Sequence, residues 1–149
     1  MMLIIALVVG VTMITADEKK ATVKPVWQTN LKTAAQMARK LDRPILMNFT
    51  GSDWCGWCVK LKKEVFDTKE FKEYASKNLI LMEVDFPRSK KQPAKLKKQN
   101  KALAAQYKIK GYPTVIIVNS KGKEIARTGY KKGGGAKYAE HLKELLSKK

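Results

Sequence analysis

Ile45-Leu46-Met47-Asn48-Phe49-Thr50-Gly51-Ser52-Asp53-Trp54-Cys55-Gly56-Trp57-Cys58 decides how this chain reads. Ile45 to Phe49 form a short, mostly apolar run suited to a buried strand. Thr50-Gly51-Ser52-Asp53 supplies a turn, and the only two cysteines of the chain follow at once. A disulfide closed over two intervening residues removes little entropy from the unfolded chain, so it is a poor staple. Its natural use is reversible two-electron exchange. Val59, Leu61, Val65 and Phe66 predict a helix running on from Cys55. Cys55 then stands at a strand-to-helix junction, where unpaired N–H groups and the helix dipole favour its thiolate. The thiolate is the form that attacks disulfides. Cys58 lies one turn further in on the same side, where it is expected to be shielded and to resolve the mixed disulfide formed by Cys55.

The same Cys-x-x-Cys also fits half of a zinc site. Zinc needs further ligands, and the chain holds one histidine, His141, near its C-terminal end. A structural zinc is therefore not expected, and no flavin or nicotinamide motif is visible. The redox group is the Cys55–Cys58 pair itself, with no separate cofactor.

Working outward, Asn30 is placed to cap a helix bearing Leu31, Ala34, Ala35, Ala38 and Leu41 on one face, which Asp42-Arg43-Pro44 ends. Asp67-Thr68-Lys69-Glu70 opens a further helix holding Phe71, Tyr74 and Ala75. Leu79 to Asp85 is a second strand, Phe86 to Pro93 a basic loop, and Leu96, Leu103, Ala104 and Tyr107 mark the next helix. Thr114 to Val118 is a third strand, joined through Asn119-Ser120-Lys121-Gly122 to a returning strand at Glu124 to Arg127. Gly133-Gly134-Gly135 reads as a break before a last helix with Tyr138, Leu142, Leu145 and Leu146. Alternating strands and helices argue for parallel pairing with helices on both sheet faces, plus one antiparallel hairpin.

The chain is 149 residues long with a net charge of +18. Met1 to Ala16 is uncharged and almost wholly apolar, and Asp17-Glu18-Lys19-Lys20 ends it abruptly. Sixteen residues are fewer than the roughly 20 that a membrane-spanning helix needs, and fit the core of a secretory signal cleaved after Ala16. No Lys or Arg precedes the run, which weakens that reading, and an uncleaved N-terminal membrane anchor stays open. The expected organisation is a signal peptide over 1–16, a flexible leader over 17–25 and one domain over 26–149. Export would place the protein in the periplasm or outside the cell, where disulfides persist.

Gly111-Tyr112-Pro113-Thr114 opens the third strand, where a proline is tolerated because it donates no ladder hydrogen bond. Taken alone, this proline fits a cis bond turned toward a bound peptide or an ordinary trans turn. Phe49 to Cys58, together with Gly111 to Thr114, resembles the thioredoxin superfamily, and more closely its exported bacterial thioredoxin-like members with a Gly-Ser-Asp-Trp-Cys-x-x-Cys segment. The resemblance runs from about Trp27 to the C-terminus. It implies a thioredoxin-like α/β fold, a central mixed sheet with helices on both faces. It also implies a cis Pro113 against the active-site sulfurs, a nucleophilic Cys55 and a resolving Cys58. Protein disulfides or dithiols are the implied substrates, with a membrane-embedded thiol carrier supplying electrons.

Three departures stand out. Asn48 occupies the place of the buried aspartate that serves proton transfer in thioredoxin, and Leu81 that of its companion lysine. Proton movement is then left to water, Glu83 or Asp53. Gly56-Trp57 lies between the cysteines, so the pair gains no cation there and a strong oxidant is not indicated. Lys63 replaces a helix-kinking proline, which predicts a straighter active-site helix.

Trp54, Gly56, Trp57, Tyr112 and Pro113 are the expected substrate-contact residues, since tryptophan is enriched at contact sites. Plain packing is the alternative for the aromatics. Trp27 is expected to pack in the core or leader, and His141 to be solvated. Lys90, Lys91, Lys95, Lys97, Lys98 and Lys101 form the densest basic cluster, either a solvated face or a dock for an acidic protein partner. Nucleic acid is not expected, because no aromatic interleaving supports base stacking. The resulting expectation is a thiol-disulfide oxidoreductase leaning toward reduction. An oxidase or isomerase, and a non-enzymatic basic binding module, are the alternatives.

Overall fold

The computed structural model of the chain describes residues 21–148. The apolar opening, its expected cleavage after Ala16 and the first part of the leader lie outside those residues. Strand β1 (Trp27–Gln28) precedes helix α1 (Leu31–Leu41), and β2 (Ile45–Thr50) leads into α2 (Gly56–Leu61). A single wide π-type turn (Lys62–Phe66) continues α2, and α3 (Lys69–Asn78) follows. Then come β3 (Ile80–Asp85), α4 (Ala94–Gln106), β4 (Thr114–Val118), β5 (Glu124–Thr128) and α5 (Gly134–Ser147).

The five strands form one mixed sheet in the order β1-β3-β2-β4-β5. β1, β3 and β2 run parallel, with Asn48 opposite Glu83. β4 is antiparallel to β2 as well as to β5, with Phe49 opposite Thr114. The antiparallel character therefore extends beyond the expected hairpin, because β4 enters the sheet at the end where β2 leaves it. β1 was not expected; it is two residues long and pairs only with Leu81 and Met82.

Side chains alternate across the strands, so each of the three central strands feeds two cores. Ile45, Met47, Phe49, Met82, Val84, Ile116 and Val118 face Ala34, Ala38, Leu103 and Tyr107. Leu46, Leu81, Val115 and Ile117 face Leu61, Phe66, Phe71, Tyr138 and Leu142. Asn48 and Glu83 fall on this second face by the same alternation, on the side of the active-site helix.

The local signals account for the helix boundaries. Asn30 accepts the Thr33 N–H at 3.1 Å, and Thr68 caps α3 by accepting from Phe71. Asp42 ends α1 in the left-handed region at φ 48°. Three expectations need correcting. The helix after Cys55 is not straight: Asp67 N–H reaches Lys62 O five residues back at 2.9 Å, widening the helix without any proline. The triple glycine is not simply a break, since Gly134 and Gly135 form the first turn of α5. A Cβ on Gly135 would lie 1.8 Å from Thr68 Oγ1, so a bare backbone is what lets α5 approach the start of α3. His141 is half-buried rather than solvated, bonded to Thr128 Oγ1 at 2.8 Å.

The polar segment before β1 is held at two points. Val23 N–H donates to Ser76 O at 2.8 Å. The Arg43 guanidinium, only 2 % exposed, donates to Ala21 O and to Ser76 O. Burial pulls the Arg43 pKa below its ordinary value.

Candidate active site

Cys55 and Cys58 are joined in a disulfide, with Cα atoms 5.2 Å apart. Cys55 is the N-cap of α2 in extended conformation, and its Sγ accepts the Cys58 N–H at 3.2 Å. A sulfur thus takes the place that serine or aspartate holds at most helix starts, and helix partial charge falls on it. Cys58 is 3 % exposed and Cys55 7 %. Both sulfurs are therefore buried in the disulfide form, which corrects the expectation of an accessible Cys55 beside a shielded Cys58.

Two aromatic groups stand near the pair. Trp57, at 58 % exposure the most open large apolar residue of this region, lies 5.3 Å from the Tyr130 ring, with Lys60 Nζ over both rings. Tyr130 O–H in turn donates to Glu64, which holds its pKa up. The second group is Trp54, Tyr112 and Phe86. Trp54 meets Tyr112 edge-on at 5.8 Å, and Phe86 packs on Tyr112 at 5.3 Å. The Trp54 indole N–H donates to Phe86 O at 2.7 Å, which fixes the ring. Gly51 makes that seat, because a Cβ there would fall 2.3 Å from the Trp54 ring.

The Tyr112–Pro113 peptide bond is cis. Pro113 immediately precedes β4, and Thr114 faces Phe49 at the end of β2 that leads to the cysteines. Gly56 is exposed and has nothing within 4 Å of a would-be Cβ, leaving the backbone beside Cys55 uncovered.

Asp53, just before the motif, accepts the N–H groups of Arg88, Ser89 and Lys90 at 2.8–3.0 Å. The bond from Arg88, followed by those from Lys90 and Ser89, holds its carboxyl below the usual range. This ties the basic loop to the site and seats the Arg88 guanidinium 3.9 Å over Trp54. From Phe86 to Lys123 there is no acidic residue. The lysines from Lys90 to Lys101 are exposed and, among the described residues, none forms an ion pair.

Behind the disulfide lies a cavity of about 250 Å³ lined by Cys58, Asn48, Glu83, Lys62, Asp67, Ser52, Trp27 and Phe66 among others. Trp27 therefore belongs to the wall of this cavity, packed 5.0 Å from Phe66. Burial first, then Asp85, pushes the Glu83 carboxyl up, against the opposing effect of Lys90 and Lys62. Among the described residues no group of three or more His, Cys, Asp and Glu side chains is placed to hold a metal ion.

Sequence reasoning missed Tyr130, Phe86 and Arg88. Tyr130 carries no local signal, being brought to Trp57 only by the return of the chain after β5. Arg88 carries none either, since Asp53 holds its loop through backbone amides and not through the arginine's charge.

A family described as the thioredoxin-like domain matches residues 31–145. The disulfide bond reductase DsbH of Chlamydia pneumoniae is 37 % identical over 136 residues, covering 88 % of this chain and 82 % of that protein. The thioredoxin-related protein DsbJ of the same organism is 32 % identical over 114 residues, which span 76 % of this chain and 33 % of DsbJ. A solved DsbH oxidoreductase superposes with a TM-score of 0.80 at 36 % identity, covering 87 % of this chain and 89 % of that one. A thioredoxin from Thermus thermophilus shares the fold, with a TM-score of 0.64 at 18 % identity over 85 % and 90 % of the two chains. With the Cys-x-x-Cys disulfide at a helix start and a cis-proline before β4, these matches establish that the chain belongs to the thioredoxin-like family.

Proposed function

We propose that this thiol-disulfide oxidoreductase works as a reductase of protein disulfides outside the cytoplasm. Cys55 attacks the substrate disulfide, and Cys58 then attacks the resulting mixed disulfide, releasing a dithiol substrate and closing the Cys55–Cys58 ring. The observation that carries this reading is the Cys55 Sγ serving as helix cap, with Cys58 more deeply buried one turn behind it. Trp57 with Tyr130, and Trp54 with Tyr112 and Pro113, offer apolar surface to an extended substrate segment, and the open backbone at Gly56 leaves room for it.

The reducing direction is supported by the absence of a cation between the cysteines and by the reductase named among the similar proteins. Electrons for the next cycle come from a membrane-embedded thiol carrier. The apolar opening of the chain supports export, and the basic loop beside Trp54 favours acidic protein partners. Equilibration of the Cys55–Cys58 pair with glutathione tests the direction. A potential near the roughly −270 mV of thioredoxin is expected, and one near about −120 mV would make the protein an oxidant instead.

A further inference from the structure

Arg88, Lys90, Lys91 and Lys97 line a cleft of about 400 Å³ together with Phe86 and Pro87, and no acidic side chain lines it. The cleft adjoins the wall of the active site. Phe86 packs on Tyr112 and accepts the Trp54 indole N–H through its carbonyl, and the Arg88 guanidinium lies 3.9 Å over the Trp54 ring. Trp54 is the residue before Cys55, so whatever occupies the cleft lies beside the reacting cysteine. The two carboxylates that approach the loop from outside are both engaged. Asp53 accepts the Arg88, Ser89 and Lys90 amides, and Asp85 accepts the Ser52 N–H and hydroxyl. Lys90 Nζ is turned toward that same Ser52 hydroxyl, at 3.3 Å. The exposed side chains of Arg88, Lys91 and Lys97 make no hydrogen bond or ion pair among the described residues.

We propose that this cleft is a subsite for acidic side chains flanking the substrate's cysteine, with Arg88 as the residue that sets the preference. The proposal rests on the reading of the protein as an exchanger of protein disulfides, and it names the disulfides that react fastest. The loop is held before any substrate arrives, by the three amide bonds to Asp53 and by Gln92 Nε2 donating to Asp85 O at 3.1 Å. Little further ordering is then required on binding. Stacking on the Trp54 ring fixes the guanidinium plane and leaves its in-plane N–H groups open, a fork that matches a carboxylate. Phe86 and Pro87 give the methylene groups of a glutamate an apolar wall.

The shape of the surface favours a polypeptide over a membrane. A cleft admits side chains singly, whereas a lipid surface presents a broad plane of charge. Such a plane would engage the exposed lysines of α4 without needing Arg88 or the concavity beside it. Complementary charge at the edge of a site acts mainly on the rate of encounter and on the choice of partner. The preference should therefore appear in the second-order rate and weaken as salt screens it.

Two peptides test the subsite, each closed by one internal disulfide, with glutamates beside the cysteines in one and glutamines in the other. The reduced protein is mixed with each at low and at high salt, and acid-quenched samples are separated by chromatography to give the rate of reduction. The acidic peptide is expected to react about tenfold faster at low salt and to lose most of that advantage at high salt. Arg88→Gln should bring the two rates close together. Arg88→Lys keeps the charge without the fork and should give a ratio between those of Arg88→Gln and the parent. Lys40→Gln removes the same charge from α1, outside the cleft, and should keep the parent ratio. Equal rates for the two peptides would overturn the subsite while leaving the exchange reading intact. So would a ratio that falls as far in Lys40→Gln as in Arg88→Gln, which marks the overall charge of the protein. Loss of binding to phosphatidylglycerol vesicles in Arg88→Gln, with the peptide preference unchanged, would give the cleft to a lipid surface instead. Failure to reduce either peptide would overturn the exchange reading itself, and this proposal with it.

Discussion

The Cys58 backbone N–H donates to Cys55 Sγ across 3.2 Å, so the second cysteine helps cap the helix with the sulfur of the first. The two sulfurs are thereby made unequal. Cys55 faces the helix N-terminus, whereas Cys58 lies inside the first turn against the cavity. In the reduced protein, iodoacetamide at neutral pH should alkylate Cys55 at least about tenfold faster than Cys58. Peptide mapping of the alkylated sites reads the ratio, and equal labelling would contradict the asymmetry.

Glu83→Gln should change stability with pH. The folded carboxyl is raised by burial, so the native state holds its proton more tightly than the unfolded chain. Its contribution is full below the unfolded carboxylate pKa and is lost as pH rises through the folded value. Urea unfolding should therefore show Glu83→Gln gaining stability on the parent between acidic and neutral pH, with no further gain beyond that window. A gain that appears only on acidification would have the wrong sign.

Gly51→Ala places a Cβ 2.3 Å from the Trp54 ring, and the ring is held by its bond to Phe86 O. Overpacking of this kind costs about 1–3 kcal/mol. Equilibrium unfolding should show that loss together with a changed Trp54 fluorescence. Gly135→Ala, at the α3–α5 approach, should cost a similar amount without touching the tryptophan signal.

Trp57→Ala should separate binding from chemistry. Trp57 is largely exposed, so its loss should leave unfolding within about 0.5 kcal/mol of the parent. Reduction of a folded protein disulfide should fall several-fold, while reduction of a small disulfide such as oxidised glutathione stays near the parent rate. Equal effects on both substrates would remove Trp57 from the contact surface.

Much of this was legible from local pattern. β2 was readable from Ile45 to Phe49 because a buried strand needs little more than a continuous apolar run. The Asn30 and Thr68 caps were readable because capping is a matter of a few adjacent residues. β1 was not, because Trp27 and Gln28 make a strand only through Leu81 and Met82. The widened turn after Lys62, which buries Val65 and Phe66, carries no breaking residue to announce it. The glycines at 133–135 read as a break because close helix approach leaves no mark in sequence distinct from flexibility. Trp27 and Glu83 come behind Cys58 only through sheet register, which no spacing along the chain announces, whereas Lys62 is one helical turn on from Cys58.

The most direct test is mass spectrometry of mixed disulfides after exposure to an oxidised protein substrate. Cys58→Ser should accumulate a covalent adduct on Cys55 that survives without reductant, the parent should show it only transiently, and Cys55→Ser should form none and lose activity. An adduct mapped to position 58 in Cys55→Ser, together with retained activity, would contradict the assignment of Cys55 as attacker and Cys58 as resolver.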